Sequence, residues 1–411
     1  MHNNSLIELL QSMARIFHLG LPAQDEDALC DVFDATSEFP LSLIGGAREQ
    51  FQSSVDDLRD VLGPIKETLS RQFLIGELIP LIREKKIAGQ AFDTADAERF
   101  RQYLSDLPLQ RYRVLRPLWG VDVAPENAPV TLGDFTIDFG RKVLIADRDS
   151  TVFDTVQKPE WQNQLLIECG VSARESSRAA ELADKLFYRF ELIFRFLIGR
   201  RTDWVDVGIL NYKGARMRDQ FLYSEDGSWL GHSSGWHGAM QPFLLKDARF
   251  PIPTPPMMRL FELLTRSNND LEKHIVRCAE WTGQAIAEPN EAAALVKAAI
   301  ALEVLFSGNE KGVITPSIMA QIAESSAFLL GADSTSSMEI EREVKRLYGV
   351  RSSVVHSGKD AVDPKDLNAF LRICRNVILR LLSEEDFKQM ESASRLAEYF
   401  RQRKYAASVK R

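Results

Sequence analysis

The chain has few cysteines, and none of them stand close enough together in sequence to suggest a site. Cys30, Cys169, Cys278 and Cys374 are the four cysteines among 411 residues, and no C-x-x-C pair occurs. Zinc-binding modules and disulfide-rich secreted domains both depend on closely spaced cysteines. The pattern therefore suggests neither a zinc site nor a disulfide framework, and it fits a reducing cytoplasm.

The chain also lacks a long apolar run and an excess of positive charge. Its most apolar helical stretch, residues 186–198, is interrupted by Arg189, Glu191 and Arg195, whereas a membrane-spanning helix needs about 20 consecutive apolar residues. The formal net charge of −7 argues against a general nucleic-acid coat and leaves a local RNA site open. We expect a soluble cytoplasmic protein without a membrane partner.

Several common catalytic motifs are missing as well. The sequence contains no G-x-x-x-x-G-K-[ST], no H-E-x-x-H and no G-x-G-x-x-G on a strand-to-helix turn, so the usual nucleotide-hydrolase and metalloprotease classes are not indicated. His232 and His237 flank a glycine-containing loop with no third ligand at a recognisable spacing. Asp147 and Asp149 are better explained as a charged turn. We therefore expect no metal and no cofactor.

Length and apolar spacing predict a protein with more than one domain. A chain of 411 residues exceeds what one hydrophobic core usually serves, so about two or three domains are expected. Residues 1–124 have the apolar spacing of several helices. Residues 125–250 form a mixed α/β segment, which we expect to pack with the first as a sensor or regulatory domain. The predicted fold class is α+β, mostly α.

Within the mixed segment, alternation of apolar and polar residues predicts short strands. Residues 135–139 alternate in this way, and residues 142–146 are the candidate hairpin partner. Further strands are expected at 204–210 and 220–223. Ser172 and Glu175 have the spacing of a capping box that would open a long, phenylalanine-rich helix.

Prolines mark the main predicted boundary. Four of the seven residues in 250–256 are proline, and such a run continues neither a helix nor a sheet ladder. Residues 254–411 then show one helical pattern after another, with a helix start at Asp363 and Pro364. We expect an all-α helical bundle in this C-terminal region.

One helix of that bundle carries an arginine inside its apolar stripe. Arg351 falls among apolar residues that share one face at helical spacing, namely Ile340, Val344, Leu347, Val350 and Val354. A guanidinium stays charged, so in such a position it needs acceptors or an aqueous cleft. His356 lies five residues on, roughly 140° further round the helix. On one straight helix the two side chains therefore do not point toward a common position. A second copy of the chain, related by two-fold symmetry, could bring both side chains into a shared cleft.

These residues carry a family resemblance. Arg351, four intervening residues and His356 match the R-x(4 to 6)-H signature of HEPN domains. The surrounding LYGVRSSVVHSG at 347–358, with ALEVLF at 301–306 before it, resembles the ApeA-like subfamily over roughly residues 254–405. The resemblance implies a helical module whose active members are metal-independent ribonucleases, often toxins or anti-phage effectors, that work as dimers with a composite site. The sequence departs at Ser352, where many active members carry Asn, Asp or His.

Two residues are candidates for supporting the Arg351–His356 pair. Glu303 shares a helical face with apolar neighbours, so its carboxylate should be partly buried and should need a partner. Arg351 is the natural partner, either in a structural ion pair or as a guanidinium that Glu303 orients within a site. Tyr348 could contact a phosphate or a base, or it could be a packed core tyrosine.

Three further residues complete the predicted site. Ser352 lies one turn before His356 and shares its side of the helix. Lys345 and Arg346, on the same helix, are candidates for weak contacts with an RNA backbone, although a solvated charged face would look the same.

The chemistry that the resemblance implies is RNA cleavage by the neighbouring 2′-hydroxyl. Such cleavage needs a base, an acid for the leaving 5′-oxygen, and positive charge for the phosphorane. An imidazole can exchange protons near neutral pH, and a guanidinium can hold two phosphate oxygens. The expected protein is an endoribonuclease that binds RNA, forms a homodimer through its C-terminal domain, and senses a phage or cellular trigger through its N-terminal region. The alternative is a non-catalytic HEPN dimerisation or adaptor protein, which Ser352 favours.

Overall fold

The computed structural model divides the chain into two compact units. Unit 1 comprises Met1–Val114 and Gly170–Asp184, and unit 2 comprises Leu115–Cys169 and Lys185–Arg411. The three predicted segments do not coincide with these units and stay a prediction. The structure describes residues 2–20, 30–33, 37–144, 154, 157–199, 205–214, 216–223, 229–237, 241–246, 253–306, 318–358 and 361–409.

Unit 1 is mostly helical and also contains a small sheet. Its helices α1 to α4 are His2–Ile16, Ala47–Val61, Arg71–Ala88 and Thr94–Asp106. Its strands β1 to β3 are His18–Leu19, Cys30–Phe33 and Leu41–Ile44, in the antiparallel order β1-β3-β2. The core is built from the apolar faces of these helices, with Phe17 and Phe51 packed edge to face. The sequence predicts helices for residues 1–124, but the structure shows that this region contains strands as well as helices.

A reciprocal cap fixes the start of α4. The Asp93 carboxylate accepts a hydrogen bond from the Asp96 backbone N–H, and the Asp96 carboxylate accepts one from Asp93. Asp96 is buried and forms ion pairs of 2.6 Å with both Lys85 and Arg99. Burial alone would raise the pKa of Asp96, but the hydrogen bonds from Lys85, the Asp93 backbone and Arg99 lower it to about 2.

The middle of the chain forms strands, as the sequence predicts, but the strand at residues 135–139 has different partners from the predicted one. Strands β4 to β8 are Gln110–Pro117, Val121–Val123, Val130–Leu132, Phe135–Phe139 and Leu165–Ala173, and four of them form a sheet in the order β4-β8-β7-β6. The partners of β7 are β6 and β8, both antiparallel. The prediction that residues 142–146 pair with β7 is wrong. Gly133, with φ of +59°, provides the tight turn that places β6 beside β7 instead.

The residues after β7 form short helices rather than a strand. Helix α5 is Gly140–Val143 and helix α6 is Pro159–Asn163. The backbone approaches closely at Gly140, where a Cβ atom would collide with the Trp161 carbonyl oxygen. The predicted charged turn at Asp147 and Asp149 lies outside the described residues.

Helix α7, Ser176–Ile198, is the predicted phenylalanine-rich helix, but its cap differs from the prediction. Ser172 still belongs to β8, whose alternating buried residues continue to Ala173. The Glu175 carboxylate accepts hydrogen bonds from the backbone N–H groups of Ser177 and Arg178. The carboxylate of Glu175 therefore satisfies the first free donors of the helix, a role that the capping-box prediction gave to Ser172.

The strands after α7 are also partly as predicted. Strands β9, β10 and β11 are Arg216–Tyr223, Trp229–His237 and Phe243–Leu245. The expected strand at 220–223 is therefore confirmed, while residues 205–210 make only an isolated bridge between Gly208 and Trp119. His232 and His237 lie on strand β10 rather than in a loop, because β10 pairs with β9 along its length.

A buried ion cluster fixes the segment after α7 within unit 2. Arg195, 4% exposed, lies 2.7 Å from the Glu191 carboxylate and 3.1 Å from that of Asp206. Its guanidinium also donates to the Asn211 carbonyl oxygen, and Glu191 accepts from the backbone N–H of Leu210. Each charged group therefore has an opposite charge or a backbone group as its partner, as a buried ion pair requires.

From residue 253 onward, the described part of the chain is all-α, as the sequence predicts. Helices α8 to α15 are Pro255–Arg266, Asp270–Ala287, Glu291–Phe306, Ile318–Leu330, Ser334–Ser357, Pro364–Ser383, Glu385–Lys388 and Ala393–Val409. Helix α9 packs against α10, α11 against α12, and α13 against α9 and α10. The predicted start of α13 is confirmed, because the Asp363 carboxylate accepts from the Lys365 N–H and Pro364 occupies the first turn. None of the helices among the described residues is long and apolar enough to span a membrane.

Candidate functional site

The predicted site lies on the second half of α12, where the helix leaves the core. Asp333 caps the start of this helix by accepting a hydrogen bond from the Ser336 N–H. In the first half of the helix, Val344 and Leu347 are buried among its neighbours. In the second half, Val350 and Val354 are only half-buried, and Val355 is 48% exposed. The apolar stripe that the sequence predicts is therefore covered along only part of its length.

Arg351 is half-buried and faces Glu303 of α10. Its Nη2 atom lies 3.4 Å from the Glu303 Oε1, and about a quarter of each side chain is exposed. This distance exceeds the roughly 2.7–2.9 Å of a strong charge-assisted hydrogen bond. The Arg351 Nε is buried and makes no hydrogen bond with any residue that the structure describes. The guanidinium is thus held in place by charge while most of its donors stay uncommitted.

Tyr348 belongs to the packed part of the helix. It is 6% exposed, packs edge to face on Phe370 at 5.6 Å, and donates from its hydroxyl to the Ala299 carbonyl oxygen at 3.1 Å. Burial, with a smaller contribution from the Glu303 charge, raises the pKa of Tyr348 far above its usual range. The hydroxyl is therefore committed to joining α12 to α10, which favours the packed-core alternative over contact with a phosphate.

His356 and Ser352 lie on the exposed side of the same helix. His356 is in the last turn, one residue before α12 ends at Ser357, and both side chains are exposed. Neither makes a side-chain hydrogen bond with any residue in the described ranges. A single continuous helix carries both Arg351 and His356, so the two side chains leave it about 140° apart. One copy of the chain therefore does not bring them to a common point.

The two predicted RNA-contacting cations are engaged in ion pairs. Lys345 lies 2.5 Å from Glu341. Arg346 lies 2.8 Å from Glu343 and 2.7 Å from Asp366, the latter in the first turn of α13. These carboxylates raise the pKa of Arg346. Sequence spacing reveals the pairs within α12, but Asp366 could not be identified as a partner because α12 and α13 are separate helices.

The described residues offer no group of three or more His, Cys, Asp and Glu side chains that could hold a metal ion. Cys169, Cys278 and Cys374 are buried, and burial raises the pKa of the Cys374 thiol to about 12. Neither histidine of the predicted loop can be placed in a site, since the side chains of His232 and His237 lie outside the described residues. The candidate site is thus confined to side chains of α10 and α12.

No family model, no curated protein and no solved structure matches this chain. The features of this chain that bear on its function are therefore its sequence pattern and the geometry of α10 and α12.

Proposed function

We propose that this protein is a metal-independent endoribonuclease of the HEPN type. The observation that carries the proposal is the set of contacts that the Arg351 guanidinium makes. A guanidinium held beside a carboxylate at 3.4 Å, with donors to spare, lies on the same helix as an exposed histidine. Arg195, by contrast, has two carboxylates as close partners, at 2.7 and 3.1 Å.

The proposed reaction is attack of the ribose 2′-hydroxyl on the neighbouring phosphate. A base removes the 2′-hydroxyl proton, the bond from phosphorus to the leaving 5′-oxygen breaks, and an acid protonates that oxygen. The products are a 2′,3′-cyclic phosphate and a 5′-hydroxyl. His356 is the residue that transfers a proton, and Arg351 binds the phosphate oxygens and stabilises the charge that develops on them.

The proposed site is composite and requires a second copy of the chain. Arg351 and His356 diverge on one helix, whereas two copies related by a two-fold axis can place Arg351 of one copy beside His356 of the other. The exposed Val355 and the half-buried Val350 and Val354 provide an apolar surface that such a contact would cover. Glu303 then orients Arg351, and Ser352 borders the shared cleft.

The region before the helical bundle is proposed to restrain the nuclease or to sense its trigger. The resemblance to HEPN toxins and anti-phage effectors supports growth arrest or phage defence in the cytoplasm as the setting. Unrestrained expression should then be toxic, and Arg351→Ala or His356→Ala should relieve the toxicity.

The direct test is cleavage of a generic RNA in excess EDTA by the wild type, Arg351→Ala and His356→Ala. Arg342→Ala is the matched control, because Arg342 is an exposed arginine on the same helix. We expect cleavage by the wild type and the control, and a loss of about 100-fold or more in the two site variants. Replacing the 2′-hydroxyl by hydrogen at the scissile nucleotide should abolish cleavage, because the internal nucleophile is then missing. Cleavage of that deoxy substrate, or complete inhibition by EDTA, would contradict the proposed chemistry.

The alternative function is a non-catalytic HEPN dimerisation or adaptor protein. Ser352 favours it, and the Arg351–Glu303 ion pair is compatible with a structural role. Under this alternative, no RNA is cleaved, and Arg351→Ala weakens the folded state or the dimer. Thermal melts and light scattering of the same variants therefore separate the two proposals.

A further inference from the structure

A cavity opens at one end of the C-terminal bundle, away from the candidate nuclease site. Its volume is about 330 Å³, and it lies where α11, α13, α14 and α15 meet. This size is at the lower end of the range for small-molecule sites, about 300–1,000 Å³. Gly331 lines the cavity three residues before α12 begins. Arg351 lies 17 residues beyond that start, about 25 Å along the helix axis.

Two aromatic residues, Phe387 and Tyr399, are among those that line this cavity. Phe387 is buried and packs edge to face on Tyr399, with ring centroids 5.4 Å apart. The Arg403 guanidinium lies 5.1 Å from the centroid of the Tyr399 ring. Flat rings and guanidinium planes are the surfaces on which unpaired nucleobases stack.

The charges around the cavity decide what it can bind. Arg380 is paired with Glu384 at 2.5 Å, and Glu385 is paired with Lys388 at 3.0 Å. Two charged groups of the lining remain, Asp386 and Arg403. Neither forms an ion pair with any residue in the described part of the chain. The lining therefore provides one carboxylate that can accept hydrogen bonds and one guanidinium that can donate them, next to Phe387 and Tyr399.

We propose that this cavity binds a guanine base. Guanine presents O6 and N7 as acceptors for an arginine, and next to them the N1–H and N2–H₂ donors that suit a carboxylate. Adenine carries an amino donor where guanine has O6, so it would place a donor against Arg403. The base can belong to a free nucleotide or to single-stranded RNA. This inference goes beyond the proposed ribonuclease and does not depend on it.

The first test is calorimetric titration of the full-length protein with GMP, IMP and AMP. We expect GMP to bind tightest, IMP more weakly because it lacks the N2 amino group, and AMP at least about tenfold more weakly than GMP. Equal affinity for GMP and AMP, or no binding of GMP, would overturn the proposal.

Variants then locate the binding. Asp386→Asn and Arg403→Met should each weaken GMP binding by about tenfold or more. Arg401→Met is the matched control, because Arg401 is an exposed arginine on the same helix as Arg403 and neither it nor its partner Glu398 lines the cavity. Thermal melts should show that all three variants are folded. Unchanged GMP binding in both cavity variants would overturn the proposed site.

Two competition experiments complete the test. An amino-acid zwitterion also carries one anionic and one cationic group, so displacement of GMP by millimolar glycine would overturn the assignment to guanine. Tighter binding of UUGUU than of GMP, with weak binding of UUAUU, would identify RNA as the source, and the reverse order would identify a free nucleotide. His356→Ala should bind GMP like the wild type, so a failed nuclease proposal and a failed guanine site give different results.

Discussion

Two arginines of unit 2 lie in the apolar faces of helices, and their surroundings differ. Arg195 on α7 is 4% exposed and has Glu191, Asp206 and a backbone carbonyl as partners at 2.7–3.1 Å. Arg351 on α12 keeps about a quarter of its side chain exposed and has Glu303 at 3.4 Å. Burying a guanidinium is energetically unfavourable because the charge loses its hydration. Only Arg195 has close partners that offset this loss.

This difference teaches that an arginine in an apolar stripe is not in itself a sign of function. The same sequence pattern places Arg195 in a structural cluster and Arg351 at the edge of the core. What distinguishes them is the number of donors that the fold satisfies. The satisfied arginine should matter for stability, and the unsatisfied one for chemistry.

The largest expected effect of this difference is on stability. Arg195→Ala leaves the buried Glu191 and the partly buried Asp206 without their cation, so it should reduce the free energy of unfolding by about 3–5 kcal/mol. Arg351→Ala should cost no more than about 1 kcal/mol, because its ion pair is long and partly hydrated. Urea denaturation of the two variants measures both values. If Arg351→Ala lost more free energy of unfolding than Arg195→Ala, Arg351 would be the structural residue and the comparison would be wrong.

Asp96 extends the comparison to a carboxylate with close partners. Its pKa in the folded protein is lowered from the ordinary 3.8 to about 2, which corresponds to about 2 kcal/mol of stability. Because the folded pKa is the lower one, this contribution is present above pH 4 and is lost as the pH falls from about 4 to 2. The difference in unfolding free energy between the wild type and Asp96→Asn should therefore shrink over that window. A difference that is constant with pH would contradict the assignment.

The smallest expected effect concerns Tyr348, which separates the packed half of α12 from the exposed half. Tyr348→Phe removes the hydrogen bond to the Ala299 carbonyl oxygen and should cost about 1 kcal/mol. RNA cleavage should be unchanged, because the buried hydroxyl does not reach substrate. If Tyr348→Phe lost RNA cleavage while its free energy of unfolding was unchanged, Tyr348 would be a site residue.

The sequence predicts the helices of the C-terminal bundle well, because each has a clear apolar period and several have recognisable caps, such as Asp363 with Pro364. It predicts the Arg351–Glu303 pair from two helical faces, and the structure places these side chains together. The sequence does not predict that the apolar residues around Val354 are only half-buried, because their burial depends on how far the neighbouring helices extend along α12.

The errors lie where two local signals compete. The spacing of Ser172 and Glu175 resembles a capping box, but the alternation that builds β8 continues through Ser172 and shifts the cap to Glu175. The alternation around β7 predicts a hairpin with the residues that follow it, whereas the turn at Gly133 pairs β7 with the strand that precedes it. Ion pairs between separate elements, such as Arg346 with Asp366, have no signal in the local sequence.

The composite site is the central claim, and mixing two inactive variants tests it most directly. In a heterodimer of Arg351→Ala and His356→Ala, one of the two shared clefts contains both an intact arginine and an intact histidine, and the other contains neither. After subunit exchange, the mixture should cleave RNA at about a quarter of the wild-type rate, since half of the dimers are mixed and each has one intact site. A mixture as inactive as its two components, formed from variants shown to exchange subunits, would contradict the claim that Arg351 and His356 act across a dimer.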